Sequence, residues 1–212
     1  MARNYPDNGY PSVTGVLGVL RKIGLEFWFK FNTAKFCNEE SAKGKLVGTQ
    51  IHDAIEQYIT TGKAKIESEY AEEVNNALQS FMLFRKKNPN IIPEVAELSL
   101  TSELYQFNGT IDCIANDQML DWKTGTCKKK TEPPIYDEHK YQLAAYVYLY
   151  NEVKKTKIEK ATIVVIAKDK VAFNKYEMDK EEIDSCFNEV FLSCLKILNH
   201  QNKQKKLAKE KK

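Results

Sequence analysis

The residues with the most chemical potential lie in FNGTIDCIANDQMLDWKTG, Phe107 to Gly125, where Asp112, Asp121 and Lys123 interrupt apolar, strand-like segments. Strand side chains alternate faces, so Asp121 and Lys123 share one face and Trp122 takes the other. Asp112 falls on the preceding strand of an expected antiparallel pair, within reach of the same face. Carboxylates gathered on a sheet need a counter-charge, because burial otherwise raises their pKa or carries a large desolvation cost. Mg2+ or Mn2+, held by the two carboxylates and a backbone carbonyl, is the simplest such partner. A water on that metal could attack a phosphodiester, with the Lys123 ammonium orienting it or stabilising developing charge. The plainer reading is a cross-strand ion pair on a solvated face, and for an isolated D-x-K that reading is favoured. Three neighbours shift the balance: Gly109 admits a close backbone approach, Thr124-Gly125 ends the strand directly after the lysine, and Leu120 and Trp122 imply a buried opposite face.

Other candidates surround this hairpin. His52, in GTQIHDAIEQYI, sits at the margin of an apolar helical stripe, where a neutral imidazole is either a metal ligand or a satisfied, partly buried histidine. Gln142 and Tyr146 are four residues apart and share a helix face, as site supports or as packing. Lys128, Lys129 and Lys130 follow the strand end. As a charge run they read as a solvated loop, and beside a metal site they become phosphate contacts. Glu97 is an acid on the strand before the hairpin.

The elements that must position these residues follow from periodicity. Ser12 to about Phe36 reads as two short helices, and Glu39 to Ile59 as a helical block with an internal boundary where Thr49 would be an N-cap. A third helix spans about Ser68 to Lys87 and stops at KKNPN. VAELSLTSELYQF, FNGTIDCIA and QMLDWKTG then alternate as three strands, with Asn116-Asp117 as a turn pair. DEHKYQLAAYVYLYNEV is a strong helix, ATIVVIA and VAFNKYEM are two strands, and a last helix starts near Lys180, with the tail beyond Leu207 outside it. That order gives an α+β, mixed-sheet domain rather than a doubly wound parallel one. The three aromatics Phe27, Trp28 and Phe29 are expected mostly in the core.

Composition sets the remaining bounds. The 212 residues are 42% hydrophobic and 29% charged with a net charge of +3, so any nucleic-acid affinity must come from local patches. The five cysteines form no C-x-x-C pair, which fits a reducing compartment. The N-terminus has no apolar signal-like region and no long apolar window occurs, so the chain reads as cytoplasmic without a membrane span.

Taken in order, GTQIH, GTID, LDWKTG and YQLAAY resemble the RecB-type branch of the PD-(D/E)XK nuclease superfamily. Together with PSVTGVL, they are also similar to the mitochondrial genome maintenance exonuclease group. The resemblance implies a restriction-endonuclease-like core with a central mixed β-sheet flanked by helices and a helical N-terminal region. It divides one nuclease domain, 1–212, into a helical region at 11–90, a sheet core at 91–178 containing the 137–153 helix, and a C-terminal helix and basic tail at 179–212. It further implies a Mg2+- or Mn2+-dependent DNA exonuclease preferring single strands, acting in repair, recombination or replication. Its metal would sit on His52, Asp112, Asp121 and the Trp122 carbonyl, with Asp112, Asp121 and Lys123 catalytic, Glu97 a candidate further acid where some relatives carry one, and Gln142 and Tyr146 supporting the site or contacting DNA. Endonuclease action on structured or duplex DNA, or binding without turnover, are the alternatives. Some relatives carry an iron–sulfur cluster on four cysteines. Here Cys186 and Cys194 fall within a helix pattern and read as packing residues, so no cluster is expected.

Overall fold

The computed structural model describes residues 7–210, apart from the side chains of residues 95 and 96. Its centre is a five-stranded mixed sheet in sequential order: β1 (Pro93–Ser102), β2 (Phe107–Ala115), β3 (Gln118–Gly125), β4 (Lys160–Ala167) and β5 (Phe173–Met178). Only β3 and β4 run parallel, joined by the crossover helix α5 (Asp137–Lys154). Strand β4 is buried from Ala161 onward and apolar there except for Thr162, as suits a strand covered on both faces. The β2–β3 turn is the expected pair, with Asn116 and Asp117 at φ 48° and 57°, the left-handed pair that lets a two-residue hairpin follow strand twist.

Two apolar layers enclose the sheet. On one face lie α5, the short helix α1 (Val13–Leu17) and the C-terminal helices, packed on Phe107, Ile111, Met119, Ile163 and Val165. On the other lie α3 (Ala34–Thr61) and α4 (Ala71–Lys87), whose Val47, Ile51, Phe81 and Phe84 meet Leu120, Trp122, Val164 and Ile166. Trp122 receives the edges of Phe81 and Phe84 at ring-centroid distances of 5.2 and 5.7 Å. The architecture is the restriction-endonuclease-like α+β arrangement anticipated above.

Several local expectations are corrected. Thr49 is not an N-cap: α3 runs unbroken through it, and its hydroxyl donates back to the Lys45 carbonyl. The stripe Val47–Ile51–Ile55 buries continuously against the sheet, and that burial outweighs the helix cost of Gly44 and Gly48, about 1 kcal/mol each. The expected two helices between Ser12 and Phe36 are α1 and α2 (Ile23–Phe31), but α2 contains no buried residue. Phe27 and Phe29 are exposed and Trp28 is only half-buried, so these aromatics are not core. The last helix is one path made of α6 (Lys180–Ser185), a π-helical turn (Cys186–Phe191) and α7 (Leu192–Glu210), extending past Leu207. Cys186 and Cys194 are buried in the α5-side layer. No helix among the described residues is long and apolar enough to cross a membrane.

Candidate active site

Strand β2 changes face at Asp112. Ile111 packs into the α5 layer and Cys113 into the α3–α4 layer, although residues two apart on a regular strand share a face. The β2–β3 ladder is paired from Ala115–Gln118 to Cys113–Leu120, and there the Asp112 side chain takes over. Its Oδ2 accepts from the Trp122 backbone N–H at 2.9 Å. That bond ties the first acid to the strand carrying the second, and it forks the two strands at the site.

Glu97 lies on β1 between the pairs Ala96–Cys113 and Leu98–Ile111, and so opposite Asp112. It holds φ at 50°, a left-handed backbone that costs a non-glycine residue of order 1 kcal/mol. His52 reaches in from α3, with Nδ1 3.9 Å from Asp112 Oδ2. The ligand atoms of His52, Glu97 and Asp112 all lie within 4.8 Å of one another. Glu97, only a candidate further acid in the sequence, therefore joins the cluster, and the signal that marks it is backbone conformation, which the sequence does not display.

Asp121 is placed differently. It is 1% exposed, the Lys123 ammonium makes an ion pair with its Oδ2, and neither carboxylate oxygen has a hydrogen-bond donor aligned on it. Burial, reinforced by the Asp112 charge, pushes its pKa up to about 6 against the opposing pull of Lys123. Glu97 is raised as well, by burial and by Asp112. His52 is lowered by burial and by Lys123, which keeps the imidazole neutral with a lone pair to offer. A buried carboxylate without aligned donors, beside a neutral imidazole and two more carboxylates, fits a hard divalent cation. The same atoms make a costly arrangement without one.

The flanking candidates are distributed around this centre. Gln142 donates its amide to the Tyr146 hydroxyl at 2.7 Å, and Tyr146 is buried on α5. Gly109 serves that helix: a Cβ there would stand 2.7 Å from Leu149 Cδ2 and 3.0 Å from the Tyr146 ring. The close approach expected at Gly109 is thus made by α5. Lys128, Lys129 and Lys130 are exposed just past β3. Their loop is pinned by Asp169, whose carboxylate accepts from the Cys127 and Lys128 N–H groups at 2.9 Å each. The sequence offered no sign of that clasp. A groove of about 910 Å³ opens beside Lys123 and Gln142, walled by α1, the start of α2 and the first turn of α5, where His139 lies. Burial and Lys123 lower the His139 pKa to about 4, so it too is neutral.

The model of the PD-(D/E)XK nuclease superfamily matches residues 27–209, and the chain belongs to that family. Nucleases of this superfamily typically use divalent metals, in keeping with the donor set at the fork. No curated protein matches the chain at a significant level. Among solved structures, a putative exonuclease from Eubacterium rectale is 11% identical with a TM-score of 0.61, over 95% of this chain and 86% of that one. The alkaline exonuclease LHK-Exo from Laribacter hongkongensis is 12% identical with a TM-score of 0.42, over 94% of each chain. A phage related exonuclease from Haemophilus somnus 129PT is 13% identical with a TM-score of 0.42, over 73% of this chain and 81% of that one. The first of these shares the fold across nearly the whole chain.

Proposed function

We propose that the protein is a Mg2+- or Mn2+-dependent deoxyribonuclease that removes nucleotides from the ends of linear DNA, with single strands preferred. The observation that carries this reading is the convergence of His52, Glu97 and Asp112 beside the buried Asp121–Lys123 pair. The exonuclease mode and the strand preference rest on the resemblance of the motifs. Exonucleases among the similar solved structures are in keeping with that mode.

His52, Glu97, Asp112 and Asp121 would hold the cation, with the Trp122 carbonyl as a further oxygen. When bound, the cation polarises a phosphate oxygen and lowers the pKa of a water. The chain's own residues do the rest. The Trp122 N–H fixes the Asp112 carboxylate, and burial holds His52 neutral. Lys123, at the mouth of the groove, donates to the phosphate or orients the attacking water as negative charge develops. Gln142 and Tyr146, bonded to each other on α5, would support the site or contact DNA, and the Lys128–Lys130 loop would attract the DNA backbone.

Purified protein incubated with linear single-stranded DNA and Mn2+ tests the proposal. Release of mononucleotides is expected, with a loss of about 100-fold or more in Lys123→Ala, the scale of removing one electrostatic group from a hydrolytic site. Absence of hydrolysis, or hydrolysis undiminished in the variant, refutes it. Covalently closed circles are expected to stay intact, and their cleavage would replace the exonuclease reading by an endonuclease one.

A further inference from the structure

Helix α2 is unusual for a helix so rich in apolar residues. Its sequence, IGLEFWFKF, has no fully buried residue, and Phe27 and Phe31 are 55% and 73% exposed. Ile23, Phe27 and Phe31 recur at i, i+4 and i+8, so they form one stripe about 12 Å long at 1.5 Å rise per residue. The stripe begins in the groove that Lys123 and Gln142 line, because Ile23 is part of that wall. It leads outward through two parallel rings: Phe27 and Phe31 lie 6.2 Å apart and 5° from coplanar orientation. Lys30 stands 5.9 Å from the Phe31 ring centre, with no acidic side chain within ion-pair distance among the described residues. Glu26, the only acid on α2, is taken up by Arg21 at 2.8 Å.

An apolar stripe of this kind is costly in water and suits three occupants: an apolar protein face, a second copy of the chain, or unpaired bases. Aromatic rings interleaved with cations and continuous with a phosphodiester-cleaving groove favour the last, since bases stack on rings whatever their sequence while cations follow the backbone. We infer that the Ile23–Phe27–Phe31 stripe of α2 is a stacking platform for single-stranded DNA entering or leaving the groove beside Lys123. The inference rests on the nuclease reading and extends it to the strand beyond the scissile bond. The platform reads unpaired bases only, so it favours single strands over duplex.

Two measurements test it. Binding of 20-nucleotide oligo(dT) is followed in EDTA, where no hydrolysis occurs, by quenching of Trp28, which packs 5.1 Å from Phe29 on the same helix. Hydrolysis of the p-nitrophenyl ester of thymidine 5′-monophosphate with Mn2+ reports on the centre alone, because Phe27 and Phe31 lie outside the groove lining that one nucleoside can fill. The Phe27→Ala/Phe31→Ala protein is expected to bind oligo(dT) about tenfold or more weakly, the scale set by losing base–aromatic stacking, while hydrolysing the ester at the wild-type rate. Phe27→Leu/Phe31→Leu, which keeps the apolar surface, is expected to lose as much, and the double Tyr variant to retain binding. Unchanged oligo(dT) affinity in the Ala protein, with ester hydrolysis intact, overturns the platform and leaves the nuclease reading standing. Full binding by the Leu protein, or a wild-type dimer that the Ala changes dissociate without affecting DNA affinity, also overturns it. Failure of the wild type to cleave ester or DNA strikes the nuclease reading instead.

Discussion

Asp121→Asn should stabilise the metal-free protein while abolishing its activity. The carboxylate is 1% exposed, lacks aligned hydrogen-bond donors, and has its pKa raised from 3.8 to about 6. That rise corresponds to about 3 kcal/mol lost from folding once the group is ionised. The sign follows from proton counts. Below about pH 4 both folded and unfolded chains hold the proton, so Asp121 costs nothing. Between 4 and 6 the unfolded chain ionises first, and stability falls as pH rises; above about 6.5 the deficit is constant. Asparagine removes it, although Lys123 then loses its counter-ion, so the net gain at pH 8 should be about 1–2 kcal/mol. For a chain of this size that raises Tm by roughly 2–8 °C. Thermal melts in EDTA from pH 4 to 8 measure the gap, which should open between pH 4 and 6. Adding Mn2+ should stabilise the wild type by mass action and the variant much less. A variant no more stable than wild type at pH 8, or a gap equally large at pH 4, refutes the reasoning.

Two further outcomes follow from the surroundings of the site. Gly109→Ala forces a methyl to 2.7 Å from Leu149 Cδ2, and urea denaturation should show a loss of about 1–3 kcal/mol as α5 is pushed from β2. Asp169 is held below the usual carboxylate range because, although burial works the other way, the N–H groups of Cys127 and Lys128 bond to it. Asp169→Ala should therefore abolish the slow hydrogen exchange of those two amides and raise KM for DNA, with kcat nearly unchanged.

Much of the site could be read from the chain because alternation holds along β3, whose two faces are both covered. Leu120 and Trp122 against Asp121 and Lys123 fixed their faces, and Asn116-Asp117 marked the turn that aligns Asp112 with them. What was missed lies where tertiary packing overrides local pattern. Thr49 looks like a cap, but the buried stripe through Val47 and Ile51 carries α3 past it. Glu97 could be named only as a further acid, because its left-handed φ opposite Asp112 is not written in the sequence. Phe27 and Phe29 look like core by composition, yet α2 offers them to solvent. The Asp169 clasp joins residues some forty apart through backbone N–H groups that no side-chain pattern announces.

The most direct measurement is a crystal structure of the protein soaked in Mn2+, with anomalous scattering locating the ion. The account predicts a manganese peak ligated by His52, Glu97, Asp112 and Asp121, lost in Asp112→Asn. An ion bound elsewhere, or a fork still empty at Mn2+ concentrations that support hydrolysis, would contradict it.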